Sequence, residues 1–122
     1  MAVSEPRELA LCQARQPCDN RLMTDAPELY IFARFHARPG LESGMAEALL
    51  DVIGPTRQEP GCLGVHAFRS LRDPRLFYIH SRWRDEAAFE LHAALPHTVR
   101  FLERVEPLID HALDIARTRR IG

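Results

Sequence analysis

At 122 residues the chain has room for one domain and not for two. Hydrophobic residues make up 46% and charged residues 27%, which is globular composition and excludes a chain disordered throughout. Sixteen basic against seventeen acidic residues leave a net charge of -1, so nothing marks a nucleic-acid surface or an anionic membrane as partner.

The longest apolar runs fall far short of the ~20 residues that a membrane-spanning helix needs. Near the N-terminus only Leu9, Ala10, Leu11 and Cys12 run together before Arg15, which is not the pattern of an export signal. The expectation is a cytoplasmic protein whose three cysteines, Cys12, Cys18 and Cys62, are free thiols. The spacing of Cys12 and Cys18 fits no usual zinc pattern.

Residues 1–27 carry Pro6, Pro17 and Pro27 and sustain neither a two-residue nor a 3.6-residue period. They read as a flexible N-terminal extension, with at most a short surface helix over 7–15, and Met23 offers a second plausible start. The folded domain is expected over 28–118, with 119–122 as a C-terminal tail.

From Leu29 the pattern sharpens. Ile31, Ala33 and Phe35 alternate with Phe32, Arg34 and His36, the period of a strand covered on one face. Pro39-Gly40 ends it. Leu41, Met45, Ala48, Leu49 and Val52 then share one helix face, and Pro55 is expected to bend or end that helix. After the turn Glu59-Pro60-Gly61, a second strand over about 62–70 puts Leu63, Val65 and Ala67 on one face and His66 and Phe68 on the other. A third, over about 75–83, sets Phe77, Ile79, Ser81 and Trp83 against Tyr78, His80 and Arg82. Asp85 is a good N-cap for a helix through Ala94, with Ala88, Leu91, His92 and Leu95 as its inward stripe. Pro96 interrupts it. Val99, Leu102 and Val105 predict a further helical segment to about Ile109, and a last strand covers about 112–118.

The order is β-α-β-β-α-β, an α+β, ferredoxin-like split plan with a four-stranded antiparallel sheet and helices on one face. The other face carries Phe32, Arg34, His36, His66, Phe68, Tyr78 and His80, too aromatic to be left wholly in water. A core this small is also marginal alone. Both facts predict a homodimer packed sheet to sheet.

Several segments resemble the antibiotic biosynthesis monooxygenase (ABM) domain family. They are the first strand running into Arg38-Pro39-Gly40, the run from Thr56 to Cys62, the run from Arg69 to Pro74, Arg82-Trp83, Ala88 through His92, and Pro96-His97. Any one piece is weak; their order and spacing over roughly 29–116 are specific. The resemblance implies a dimeric α+β barrel. For function it implies a cofactor-independent monooxygenase oxidising a quinol or polycyclic phenol, with O2 as co-substrate and no metal. Fold alone does not choose the reaction. Some relatives are isomerases of small sugar-like signals, so a non-redox binding or isomerising module is the alternative. Others degrade haem, and these carry an asparagine where this chain has Ala33.

Strand and helix parity, with the resemblance, single out Trp83 and His92 as the catalytic pair. A phenol must lose a proton before its anion can pass an electron to O2, and an imidazole of pKa near ~6.5 can take it. Trp83 would stack on a flat substrate. Ile31, Ala33, Phe35, Ile79, Ser81 and His97 are the candidate substrate-binding residues. Ser81 departs from the family, in which a glutamate commonly stands two residues before this tryptophan. Cys62 has no activating neighbour in sequence, and there is no phosphate loop, dinucleotide fingerprint or His-Glu-x-x-His spacing.

Overall fold

The computed structural model describes residues 27–122; the proposed helix over 7–15, the extension around it, Cys12 and Cys18 lie outside the described residues. The elements are β1 Leu29–His36, α1 Glu42–Arg57, β2 Cys62–Arg69, β3 Leu76–Trp83, α2 Glu86–Ala94, α3 Pro96–Val105, a 3-10 turn Glu106–Leu108, and β4 Asp114–Thr118. One antiparallel sheet has the order β2-β3-β1-β4, and the helices cover one face. This is the expected split plan, with its second helix broken in two. Among the described residues no helix is long and apolar enough to cross a membrane.

Strand parity holds in β1 and β3. Ile31, Ala33, Phe35, Phe77, Ser81 and Trp83 are buried beneath the helices, whereas Phe32 is 51% and Tyr78 37% exposed on the opposite face. A bulge between Cys62 and Gly64 corrects the reading of β2. It pairs Cys62 with Trp83, so the thiol turns inward and Leu63 is left 43% exposed. A single extra residue reverses facing on one side of a bulge, and no alternation pattern reveals it.

Pro55 does not itself end α1, which runs on to Arg57. Proline here removes the backbone donor that would reach the Asp51 carbonyl, and the helix ends two residues later. There the hydroxyl of Thr56 donates to the Val52 carbonyl at 2.7 Å, and the last turn tightens through Gln58 N–H to Pro55 O. Arg57 donates twice to the Val65 carbonyl, at 3.2 and 2.9 Å, tying the end of α1 to β2 at the sheet edge.

The helix phases also shift. In α2, Phe89 is buried and Leu91 is 69% exposed; in α3, Thr98 and Phe101 are buried, whereas Val99 is 41% and Leu102 36% exposed. In both helices an aromatic ring takes the inward position ahead of an aliphatic neighbour. Phe101 meets Phe35 edge-on at 5.7 Å, and Phe89 meets Trp83. The core thus falls into two clusters. A larger one joins Ala33, Phe35 and Phe77 to α1 and α3, and a smaller one gathers Ile31, Trp83, Ala88 and Phe89 under α2.

At the end of β1, His36 sits between two carboxylates, with Nδ1 at 2.8 Å from Asp110 and Nε2 at 2.8 Å from Asp73. Backbone bonds from Asp110 to His36 and from Arg38 to Leu108 close the same corner. Hydrogen bonds to Asp110 and then Asp73 raise the His36 pKa above its ordinary 6.5. Asp110 falls to about 2, chiefly through His111 and then His36. Asp73 is lowered by the Arg75 backbone N–H and by His36. Arg75 adds a further cation beside Asp110.

The raised histidine stabilises fully below 6.5 and loses that contribution as pH rises through its folded value. The lowered carboxylates stabilise above 3.8 and lose their contribution as pH falls toward their folded values. Urea unfolding followed against pH should therefore show the gap between the native chain and His36→Asn widest between these limits. A gap of constant size across the range would contradict the linkage.

Candidate functional site

The site is assembled around a carboxylate. Glu59 sits in the turn between α1 and β2, its backbone held by bonds from its own N–H to Thr56 O and from Cys62 N–H to its carbonyl, at 3.1 and 3.0 Å. Its side chain is 9% exposed. Nδ1 of His92 approaches Oε2 at 2.8 Å, and Nε2 of His97 approaches the same oxygen at 2.7 Å. A carboxylate can only accept, so each imidazole donates from that nitrogen. His92 therefore holds a proton on Nδ1 and His97 on Nε2, and a neutral His92 of this kind has its lone pair on Nε2. The Thr98 hydroxyl lies 3.2 Å from His92 Nδ1.

Each helix delivers its histidine for a local reason. Asp85 caps α2, accepting from Ala88 N–H at 2.8 Å, as expected. Gly61 lets α2 lie close, because a Cβ there would collide with that of Ala88. Leu95, in an extended conformation, is the last cap of α2 and the first of α3, with Pro96 opening the new helix. In one unbroken helix, His92 and His97 would point about 140° apart and could not reach one oxygen. The break at Leu95-Pro96 brings them together.

His92 lies against Trp83, ring centroids 4.6 Å apart and planes at 39°, so the two rings share one environment. Phe89 completes the stack at 5.7 Å from Trp83 and 5.6 Å from His92. The hydroxyl of Ser81 accepts the indole N–H at 3.0 Å. Ser81 is thus a buried partner for Trp83, and the carboxylate of this site comes from Glu59.

The hollow beneath the helices is filled: Trp83 is 1% exposed, Ile31 2% and Ser81 4%. Ile31 pairs across the sheet with Ser81, and Ala33 with Ile79. Ile31 packs with Trp83, but Ala33, Phe35 and Ile79 belong to the larger cluster under α1 and α3. Of the candidate residues, the structure brings Trp83, His92, His97, Ser81 and Ile31 together. Open surface begins at His97, which borders a groove of ≈ 310 Å³ between α1 and α3 with Val52, Arg100 and Phe101. The Cys62 thiol pKa is pushed up, first by burial, which keeps it protonated and a poor nucleophile.

The ABM domain family model, described as antibiotic biosynthesis monooxygenase, matches residues 29–104. The chain belongs to the antibiotic biosynthesis monooxygenase family. Among solved structures, PA3566 from Pseudomonas aeruginosa is 30% identical, covering 82% of this chain and all of that one, with a TM-score of 0.75. Rv0793 from Mycobacterium tuberculosis is 24% identical over 78% of this chain and 96% of its own, with a TM-score of 0.74. A structure of an antibiotic biosynthesis monooxygenase is 23% identical over 77% and 99%, with a TM-score of 0.73. The last two likenesses bear on the fold alone. No curated protein matches the chain.

Glu59 is the residue that sequence reasoning overlooked. It stood within the Thr56–Cys62 run but was read only as part of a turn. The Pro-Gly that follows Glu59 accounts for the turn by itself, so the acidic residue before it carries no local signal of a site. Only the tertiary meeting with two histidines more than thirty residues away gives it a role.

Proposed function

We propose that this family member oxidises a quinol or polycyclic phenol with O2, without a bound cofactor, at the cluster formed by His92, Glu59, His97 and Trp83. The observation that carries this reading is the Glu59 carboxylate holding His92 by Nδ1–H, beside the only tryptophan. Held in that way, His92 offers Nε2 as a proton acceptor, and the carboxylate stabilises the imidazolium that forms. The phenolate then passes one electron to O2. Recombination of the radical pair forms a C–O bond, the peroxide takes the proton back from His92, and the ring hydroperoxide loses water to leave a quinone. One oxygen atom stays in the product and one leaves as water, so a phenol and O2 balance a quinone and water.

A flat substrate reaches the indole only by displacing Phe89 or His92, because both rings cover it. Binding is therefore expected to shift α2 outward, starting from the exposed edge at His97. Apolar lining from Ile31 would keep water from the radical pair; Ala33, Phe35 and Ile79 support it from the adjacent cluster. Haem is not the expected substrate, since the side chain of Ala33 offers no polar group. A cytoplasmic setting, where quinols and phenols are met reduced, suits the chemistry.

Purified chain stripped with a chelator should consume O2 with at least one member of a quinol panel. His92→Ala should lower turnover roughly tenfold or more while the fold survives by circular dichroism. No uptake across the panel, together with thermal stabilisation by phosphorylated sugars, would replace this reading with the non-redox binding or isomerising module.

The same reading includes a homodimer through the free sheet face. Phe32 and Phe68 are 51% and 53% exposed there, and Phe32 lies 4.8 Å from the ring of His80. Such a patch is stable in water when a second apolar face covers it. Sedimentation should give a dimer for the native chain and a monomer for Phe32→Asp with Phe68→Asp. A native monomer at micromolar concentration contradicts this arrangement.

A further inference from the structure

We propose that Glu59, His92 and His97 also form a binding site for a divalent first-row transition-metal ion, held by the Glu59 carboxylate, Nδ1 of His92 and Nε2 of His97. The three ligand atoms lie within 4.8 Å of one another. Two imidazoles and one carboxylate on one side of an ion, with the other positions open, is a ligand set that suits iron, cobalt, manganese or zinc. Two imidazoles argue against magnesium and calcium, which prefer oxygen throughout.

The spacing supports the assignment. Metal bonds of about 2.1 Å at right angles separate neighbouring ligand atoms by about 3.0 Å. The two nitrogens stand 2.8 and 2.7 Å from the Glu59 oxygen, close to that separation, so an ion would take the place of the two shared protons. Charge points the same way. The Glu59 side chain is 9% exposed, and among the described residues its salt-bridge partners are these two histidines alone. A carboxylate taken out of water in this way is costly unless a cation accompanies it, and a divalent ion supplies that charge. His92 and His97 are themselves 14% and 21% exposed, which leaves the His97 side open for water ligands.

A second group, His36, Asp110 and His111, has comparable proximity but a different chemistry. Both ring nitrogens of His36 are held, one by Asp110 and the other by Asp73, so an ion there would have to displace a histidine fixed at both ends. His111 is 67% exposed. It makes a suitable control rather than a site.

Metal binding does not rest on the oxygenase reading. An ion occupies the same nitrogen that Glu59 holds by its proton, so the loaded and proton-accepting states of His92 exclude each other. Oxygen uptake and metal affinity therefore fail or succeed separately.

The test is titration of the full chelator-treated chain with Co2+ and Zn2+, read by calorimetry and by the visible absorption of cobalt. One ion per chain should bind at micromolar concentration. Glu59→Gln and His97→Ala should each weaken binding roughly tenfold or more, and His111→Ala should leave it unchanged. Circular dichroism checks that each variant is folded. If either Glu59→Gln or His97→Ala fails to fold, the other decides. No saturable binding below millimolar metal, or binding that folded variants of Glu59 or His97 retain in full, overturns the assignment.

Discussion

One nearly buried carboxylate oxygen organises this molecule's functional end. Oε2 of Glu59 receives hydrogen bonds from two imidazoles carried on two different helices. Neither helix alone could satisfy the charge, and the sheet contributes no cation to it among the described residues. The position of α2, the break at Leu95-Pro96 and the start of α3 are all compatible with that single convergence. Hydrogen bonds to a charged acceptor in a low-dielectric setting are worth roughly twice those between neutral groups. The cluster therefore acts as a structural tie between the helical layer and the turn before β2 as well as a chemical group.

Around that tie, packing sets what the site can admit. Trp83 is closed in by His92 and Phe89, and its N–H is satisfied by Ser81, so the indole needs no ligand to complete it. In a family that commonly places a carboxylate at the position of Ser81, this chain keeps a small hydroxyl there and draws its carboxylate from the α1–β2 turn. His92 then sits at the edge of the core, whereas Trp83 lies inside it. Substrate selection is expected to depend on how readily Phe89 swings away.

Most of the architecture was legible in the residues because it follows from periodicity. The alternation of Ile31, Ala33 and Phe35 and of Phe77, Ile79 and Ser81 gave the buried face directly, and Asp85 and Pro96 marked their helix boundaries. Reading failed where facing depends on one-residue offsets. The bulge at Cys62–Gly64 reversed Leu63, and aromatic rings displaced Leu91, Val99 and Leu102 from the inward positions. Pro55 marked the end of α1 only to within two residues. His92 and Trp83 were legible as a facing pair. Glu59 was not, since its role depends on a meeting across 33 and 38 residues of sequence that no local pattern encodes.

The hydrogen-bond direction at Glu59 is the claim on which the proton-accepting reading depends, and ring-nitrogen NMR of the metal-free chain reads it directly. His92 is expected to be protonated on Nδ1 with a free Nε2, and His97 on Nε2. A spectrum placing the His92 proton on Nε2, the tautomer in which Nδ1 cannot donate to Glu59, would contradict it.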